Sequence, residues 1–293
     1  METVSGFLNI HKNAGCTSHD VVALLRKALQ IKKIGHSGTL DPFATGVLVI
    51  GINNATRLFE YLPSDKTYIA KIRFGIETDT DDITGKILNK SSSFPSESEI
   101  KEKLKQFLGE IKQKPPIYSA IKIQGQPAYK LARKDEISIN DIKEKTVTVK
   151  SIDFISLIKN ELELKIECSS GTYIRSIARD LGKSLNTPAV LSSLIRTQVG
   201  NYFTLEKSID LKIINESSLS NYLIASSEVI SLNKLHLDHK QISDICTGKS
   251  VKMAFTANAP NPDMLQLLDN NNKIVAIGSM TEDCIIKPIK VFN

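Results

Sequence analysis

Two rhythms of apolar and polar positions run along this chain, and together they predict both helices and strands. Apolar residues at helical spacing over 18–30 predict a helix that Ser18 caps. An alternation of two residues over 66–74 places Tyr68, Ala70 and Ile72 on one face, as in a half-buried strand. By the same criteria we expect further strands at 7–11, 47–52, 146–156, 161–169 and 191–202, and further helices at 55–62, 96–108 and 171–185.

The order of these elements predicts an α+β body around a central mixed sheet whose strands are mainly antiparallel. Towards the C-terminus the pattern changes. A linker-like run occupies 256–263, and two apolar runs at 265–268 and 274–277 predict a hairpin. We therefore expect a large domain over 1–230 and a small C-terminal β module over 231–293.

The charge balance favours a polyanionic partner. Lys and Arg number 38 against 32 Asp and Glu in a chain of 293 residues, which gives a net charge of +6. The isoelectric point is about 9.0. Such a surplus of positive charge suits nucleic acid without requiring it.

The cysteines and the N-terminus bear on the cellular compartment. No CxxC pair occurs, which argues against a disulfide framework and against a zinc site, since the cysteines lie far apart at positions 16, 168, 246 and 284. The first residues lack the basic region and the following apolar region of a signal peptide. The longest apolar run, 47–52, is too short to span a bilayer. We expect a soluble, cytoplasmic protein.

The glycine-rich segment 35–46 reads GHSGTLDPFATG and invites two interpretations. A phosphate-binding loop needs a lysine after the glycines and a following helix, but here no lysine follows and a strand is predicted next. The alternative is a loop that presents Asp41, because glycines permit unusual backbone conformations and Pro42 restricts the preceding residue. From the residues alone, Asp41 could equally be a nucleophile or part of a plain Asp-Pro turn.

Two further side chains are candidates for chemistry. Tyr68 could be a core aromatic or could stack on a nucleic-acid base. Arg175 falls in the first turn of a predicted helix among apolar positions, where an unpaired arginine would be costly. Asp41 is a candidate partner, and the pairing would lower the pKa of this carboxyl; the alternative is an ordinary surface arginine.

The residues do not indicate a metal site. His36 has no second His or Cys at ligand spacing, which favours a hydrogen-bonding or wedging role. The acidic run at 77–82 lacks the twelve-residue calcium-loop pattern, so we expect a solvated turn there.

Four segments taken together resemble one family. Their order and spacing are similar to those of the bacterial tRNA pseudouridine-55 synthases, the TruB family, over roughly residues 5–200. The segments are GHSGTLDPFATG (35–46), DKTYIAKIRFG with ETDTDDITG (65–85), PPIYSAIKIQGQPAYKLAR (115–133) and SSGTYIRSIARDLG (169–182). One motif would carry little weight, whereas four collinear motifs are highly specific.

The resemblance implies a pseudouridine synthase fold and isomerisation of the T-loop uridine of tRNA without metal or cofactor. It implies that Asp41 is the catalytic aspartate, that Tyr68 stacks on the target uracil and that Arg175 pairs with Asp41. An insert at about 112–134 would close over the RNA like a thumb, and the module over 231–293 would be a PUA-like RNA-binding domain. The RNA contacts implied are His36, Lys12, Tyr173 and Arg196. No obligatory protein partner is expected, and the chain is expected to be a monomer.

The chain departs from the family pattern at two places. The usual Lys-Pro-x-Gly reads Lys12-Asn-Ala-Gly15, and the usual Leu-Arg-Arg-Thr reads Leu194-Ile-Arg-Thr197, so phosphate or loop contacts could be weaker. Two alternatives to the enzyme stay open: a non-catalytic RNA-binding or tRNA-folding protein, and a synthase that depends on a guide RNA.

Overall fold

A computed structural model describes residues 4–134, 136–253 and 264–292 of the chain. The linker-like run predicted at 256–263 lies outside the described residues.

The larger part of the chain is built on one ten-stranded sheet. Its path runs β14-β1-β3-β12-β4-β11-β10-β7, with β2 paired to β3 and β13 paired to β12. The strands up to residue 210 are β1 (Gly6–Lys12), β2 (Ile34–His36), β3 (Thr45–Ile52), β4 (Lys66–Phe74), β5 (Ile76–Thr78), β6 (Ile87–Lys90), β7 (Gly109–Gln113), β8 (Lys122–Ile123), β9 (Gln126–Pro127), β10 (Lys145–Ile158), β11 (Glu161–Cys168), β12 (Ala189–Val199), β13 (Phe203–Thr204) and β14 (Ile209–Asp210). The pairs β1–β14 and β3–β12 are parallel and the other pairs of this sheet are antiparallel, which confirms the predicted mixed, mainly antiparallel sheet.

The described residues also form helices, some of which pack against this sheet. They are α1 (Ser18–Leu29), α2 (Glu97–Leu104), α3 (Ala128–Ala132), α4 (Ile174–Ser184), α5 (Leu219–Tyr222), α6 (Ser226–Val229) and α7 (His239–Cys246). The apolar side of α4, with Ile177 and Leu181, shares one buried cluster with Tyr68 and Ile72 of β4. Since burial of such side chains stabilises by about 1.5–3 kcal/mol each, this packing fixes α4 against the strand that carries Tyr68.

A second, five-stranded sheet follows in the C-terminal part, in the order β15-β17-β18-β19-β16. Its strands are β15 (Asn233–His236), β16 (Val251–Lys252), β17 (Leu265–Leu268), β18 (Ile274–Met280) and β19 (Ile285–Val291). The predicted hairpin corresponds to β17 and β18. Leu268, Ile277 and Phe292 share a buried cluster with Phe7 and Val49 of the large sheet, so the two sheets have a common core. The domain boundary at 230/231 stays a prediction.

The first helix begins one residue away from the predicted cap. Thr17, not Ser18, is the N-cap, because the Thr17 hydroxyl accepts a hydrogen bond from the Asp20 backbone and the Asp20 carboxylate accepts one from the Thr17 backbone. The Ser18 hydroxyl instead accepts from the Leu40 N–H at 2.9 Å and donates to the Leu40 carbonyl at 3.2 Å. Ser18 therefore ties α1 to the glycine-rich loop.

Other element boundaries differ because turns replace regular helix. The segment predicted as a helix at 55–62 forms two 3₁₀ turns, Asn53–Arg57 and Phe59–Tyr61. This tighter winding sets the Phe59 ring against Gly51, where an added Cβ would lie 2.7 Å from the ring. The helix predicted at 171–185 begins only at Ile174, after a glycine at 171 with φ +87°. The helix predicted at 96–108 ends at Leu104 and continues as a 3₁₀ turn.

Candidate active site

Asp41 lies in the loop between β2 and β3 (residues 37–44), which we call the catalytic loop because Asp41 is its candidate catalytic residue. A turn closes the loop, since the Ala44 N–H donates to the Asp41 carbonyl at 3.1 Å. Leu40 is buried in the core beside Tyr68 and anchors the loop from below. The Asp41 side chain stays 27% exposed. The loop therefore presents a carboxylate at the surface of a rigid core.

Arg175 is the immediate partner of Asp41. The Arg175 Nη2 donates to Asp41 Oδ1 at 2.8 Å, and the arginine side chain is only 5% exposed. The same nitrogen also donates to the Tyr118 carbonyl at 3.0 Å, which brings the 112–134 insert to the site. The predicted pairing of Arg175 with Asp41 is present in the structure.

The acidic turn at 77–85 supports Arg175 from behind. Arg175 Nη1 donates to the Thr80 carbonyl at 3.0 Å and lies 3.5 Å from Asp82 Oδ2. Asp82 is 4% exposed, so the expectation of a solvated turn is wrong there. Asp81 likewise accepts from Arg179 Nη1 at 2.9 Å. These carboxylates are buried because they compensate two arginines that α4 brings under the sheet. The sequence reasoning missed their role.

Burial, more than the ion pair, sets the protonation of Asp41. Desolvation raises the pKa of the Asp41 carboxyl above its ordinary value of 3.8, while the positive charge and hydrogen bond of Arg175 pull it back. Asp82 adds a negative neighbour that raises the pKa further. The pairing with Arg175 thus lowers the pKa of this carboxyl as predicted, but desolvation outweighs it and the pKa is raised overall.

Tyr68 lies in the middle of the large sheet, on β4, and is 6% exposed. Burial raises the pKa of its hydroxyl to about 12, and the positive charge of Arg196 opposes this rise. Asp41 is close enough to raise the same pKa slightly. The phenol therefore stays protonated at neutral pH and lies near the catalytic loop.

Lys12 and Arg196, which the resemblance assigns to RNA contact, are both buried. Lys12 is 0% exposed, and its Nζ donates to the carbonyls of Asn13 at 2.9 Å, Cys16 at 2.8 Å and Pro42 at 3.3 Å. Burial lowers the pKa of its ammonium group. Arg196 is 1% exposed. In this structure both side chains hold protein backbone.

Arg196 makes its hydrogen bonds to the ends of the catalytic loop. Its Nη2 donates to the Gly38 carbonyl at 3.2 Å and its Nη1 to the Thr39 carbonyl at 3.3 Å. Its Nε donates to the Val47 carbonyl on β3 at 2.7 Å. Gly46 allows this approach, because a Cβ there would lie 2.2 Å from the Arg196 carbonyl oxygen.

His36 and Tyr173 flank the same loop. His36 ends β2, and its Nδ1 accepts from the Gly38 N–H at 3.3 Å, which fixes the tautomer with the proton on Nε2. Burial lowers the pKa of His36. Tyr173 is the N-cap residue of α4, and Gln113 bonds both its backbone N–H, at 2.7 Å, and its carbonyl, at 2.9 Å. The predicted site residues therefore gather around one loop.

Lys66 is a further charged residue of this site that the sequence reasoning did not single out. It is 8% exposed, its Nζ donates to the Ser64 carbonyl at 2.9 Å and to Ser170 Oγ at 3.2 Å, and burial lowers its pKa to about 8. Its Cε would lie 3.6 Å from a Cβ added at Gly38. The two-residue alternation of β4 places Lys66 on the same face as Tyr68 and was the available signal.

The described residues contain neither a cluster of metal ligands nor a membrane-spanning helix. In the part of the chain that the structure describes, no group of three or more His, Cys, Asp and Glu is placed to hold a metal ion. No helix among residues 4–134, 136–253 and 264–292 is long and apolar enough to cross a membrane.

Relatives of known name match most of the chain. The family model described as "TruB family pseudouridylate synthase (N terminal domain)" matches residues 26–174. The tRNA pseudouridine synthase B of Acaryochloris marina is 40% identical over 287 residues, which is 97% of each chain. The tRNA pseudouridine synthase B of a Nostoc species is 50% identical over 212 residues, 71% of each chain.

Solved structures show the same fold. The chain superposes with a TM-score of 0.72 on a protein in an H/ACA RNP bound to a substrate RNA containing 2′-deoxyuridine, at 22% identity, covering 98% of this chain and 85% of that one. A chain of a Cbf5-Nop10-Gar1 complex gives a TM-score of 0.71 at 24% identity with the same coverage. The fold is the predicted α+β pseudouridine synthase fold. With half of the sequence matched by the family model and a relative 40% identical along nearly all of its length, the chain belongs to the TruB family of pseudouridylate synthases.

Proposed function

We propose that this chain isomerises the uridine at position 55, in the T loop of tRNA, to pseudouridine, with Asp41 as the reactive carboxylate. Family membership and the shared name of the relatives support the reaction and the substrate. The ion pair of Asp41 with the buried Arg175, at 2.8 Å, is the observation that carries the residue assignment. A loop carboxylate without a functional role would not need a hydrogen bond from a buried arginine.

The reaction needs a carboxylate and a surface that holds a free base. The N1–C1′ bond breaks, the uracil turns, C5 joins C1′, the hydrogen on C5 leaves as a proton and N1 gains one. The target base must first leave its stack, at a cost of a few kcal/mol. Asp41 can form an ester at C1′, attack C6 or take a ribose proton, and each role requires its anion. The ring of Tyr68, buried beside the loop, supplies an aromatic face for the uracil.

The RNA is proposed to lie across this site. The 112–134 insert, whose Tyr118 carbonyl binds Arg175, would act as the thumb-like contact. His36 and Tyr173 would contact the flipped T loop. The domain over 231–293 is proposed to be PUA-like and to bind RNA, and the domain over 1–230 to be catalytic. The net charge of +6 supports backbone affinity with the salt dependence that this implies.

Tritium release tests the role of Asp41. Unmodified tRNA tritiated at uracil C5 should release tritium with the wild-type protein, and Asp41→Asn should abolish release while tRNA affinity persists. Asp65→Asn is the matched control, because Asp65 is a surface carboxylate 44% exposed and paired with Lys150. Release by Asp41→Asn at the wild-type rate would exclude the carboxylate as the reactive group.

The Tyr68 hydroxyl can be tested separately from its ring. Tyr68→Phe keeps the aromatic face, so tRNA affinity should change little. If the hydroxyl takes part in proton transfer, single-turnover release should fall by about 10²-fold or more. An unchanged rate would leave the ring as the only contribution of Tyr68.

Bare tRNA discriminates among the remaining candidates. We propose that the chain acts as a monomer without a protein partner or guide RNA, unlike an enzyme that depends on a guide. Release from bare tRNA by the purified chain supports this proposal, and release only with added guide RNA contradicts it. Refolding of tRNA with no release of tritium by the wild-type protein would favour a non-catalytic RNA-folding protein.

A further inference from the structure

Arg196 lies where the catalytic loop, β3 and β4 meet. It is the bulkiest fully buried side chain among the described residues, at 1% exposed. In the sheet, Arg196 pairs with Tyr68 across β12 and β4 and with Gly46 across β12 and β3. Side chains directly opposite on neighbouring strands point to the same face and touch. One guanidinium group therefore lies between the loop and the tyrosine.

The donors of Arg196 are distributed in a specific way. A guanidinium group has five N–H groups, one on Nε and two on each Nη. The bonds to Val47, Thr39 and Gly38 use one N–H on each nitrogen. One N–H on each Nη is then left over, and Tyr68 lies directly across from Arg196 in the sheet. No other side-chain type supplies a planar fork with this many donors.

We propose that Arg196 is a positioning residue that fixes the Tyr68 ring and hydroxyl relative to the catalytic loop, and not a contact to RNA. This inference rests on the proposed function and adds how the Asp41 carboxylate and the Tyr68 side chain are held at a fixed distance and orientation. The Gly38 and Thr39 carbonyls fix the loop that carries Asp41, and the remaining N–H groups fix the phenol. A misplacement of about 1 Å between such groups costs roughly 10²-fold in rate.

Burial argues against a direct phosphate contact. To reach RNA, Arg196 would have to release three backbone carbonyls, at 2.7, 3.3 and 3.2 Å, inside a dry core. Each released carbonyl would lose its hydrogen-bond partner in the core, which is unfavourable. Phosphate contacts are therefore better assigned to exposed lysines and arginines, and the buried guanidinium to the geometry of the site.

The test is a double-mutant cycle of Arg196→Lys and Tyr68→Phe, read by single-turnover release of tritium and by the Kd for tRNA. Lysine keeps the charge but cannot hold the loop and the phenol at once. We expect Arg196→Lys to slow release by roughly 10²-fold with a Kd within about threefold of wild type. In the Tyr68→Phe background the same change should slow release by less than about tenfold, since part of its effect passes through the hydroxyl. Arg73→Lys on β4, 41% exposed, is the control and should change neither quantity.

Each other result refutes the inference. A Kd weakened as much as the rate would make Arg196 an RNA contact. Equal fold losses in the two backgrounds would show that it acts without Tyr68, as a purely structural residue would. If Arg196→Lys does not fold, Arg196→Gln enters the same cycle with the same expected coupling. If the wild-type protein releases no tritium, the proposed function fails; release by wild type with independent effects refutes only the role of Arg196.

Discussion

Two arginines one helical turn apart allow catalysis to be separated from stability. Arg175 and Arg179 are both buried on α4, at 5% and 8% exposed, and both pair with the acidic turn. Only Arg175 also touches Asp41. We predict that Arg175→Lys and Arg179→Lys destabilise the protein equally but that only Arg175→Lys disables the reaction.

The magnitudes follow from the hydrogen bonds of each side chain. Arg175 donates at 2.8 to 3.0 Å to Asp41, Thr80 and Tyr118. Arg179 donates at 2.7 to 2.9 Å to Asp81, Asp180 and Lys114. A lysine at either position can restore about one of the three hydrogen bonds of the arginine, so about two are lost. At about 1.5–3 kcal/mol for each of the two charged bonds lost, the free energy of unfolding should fall by about 3–6 kcal/mol in either variant.

Activity should respond differently to the two substitutions. Loss of a preorganised partner of the reacting carboxylate costs about 2.7–4 kcal/mol of transition-state stabilisation, or roughly 10²–10³-fold in rate. Arg179→Lys leaves Asp41 paired and should slow release by less than about tenfold. Urea unfolding gives the stabilities and single-turnover tritium release gives the rates. Equal rate losses in the two variants, following their stabilities, would refute a specific role for Arg175.

Three further predictions concern the loop, the carboxylate and the shared core. Burial raises the pKa of Asp41, and the reaction needs its anion. The value of kcat/KM should therefore rise with pH with an apparent pKa above 3.8, and an apparent pKa at or below 3.8 would contradict this. Gly46→Ala should lower the free energy of unfolding by more than about 2 kcal/mol, since the new Cβ would lie 2.2 Å from a carbonyl oxygen on β12. Gly109 also has a positive φ but lies in open space, so Gly109→Ala should lower it by only about 1 kcal/mol; thermal unfolding measures both. Phe292→Ala should lower the free energy of unfolding by about 3–5 kcal/mol, because the ring fills the core common to both sheets. Ile158 is 68% exposed, so the control Ile158→Ala should change the free energy of unfolding by less than about 0.5 kcal/mol.

The longer strands of the large sheet follow from local pattern. The alternation over 66–74 predicts β4 with its observed bounds, because from Tyr68 onward its inward residues are buried and its outward residues are only partly buried. Helix ends are less predictable from pattern. Thr17 and Ser18 are chemically similar caps, and only the bond of Ser18 to Leu40, 22 residues away, decides between them.

Asp41 and Arg175 were recognisable as candidates from the sequence, but the placement of the charged residues of the site was not. Exposure is the default for charged side chains, and burial depends on partners far away in the sequence. Asp41 is 134 residues from Arg175, and the carbonyls bound by Arg196 are 149 to 158 residues from it. Motif resemblance could therefore name Lys12 and Arg196 as functional, but it could not predict that both bond backbone carbonyls of the loop.

Their burial also explains how the departure at Lys12-Asn-Ala-Gly15 can be tolerated. A proline in that turn would stiffen the chain near the catalytic loop. Here the turn is docked by other means, since the Gly15 N–H donates to the Pro42 carbonyl at 2.9 Å and Lys12 bonds the same carbonyl at 3.3 Å. Gly15 adopts φ +88°, a conformation that favours glycine, and no atom of the described residues lies within 4 Å of where its Cβ would be. Buried cations on β1, β12 and α4 thus each hold a different part of one glycine-rich loop, so Asp41 is placed by the core of the protein and not by the stiffness of its own segment.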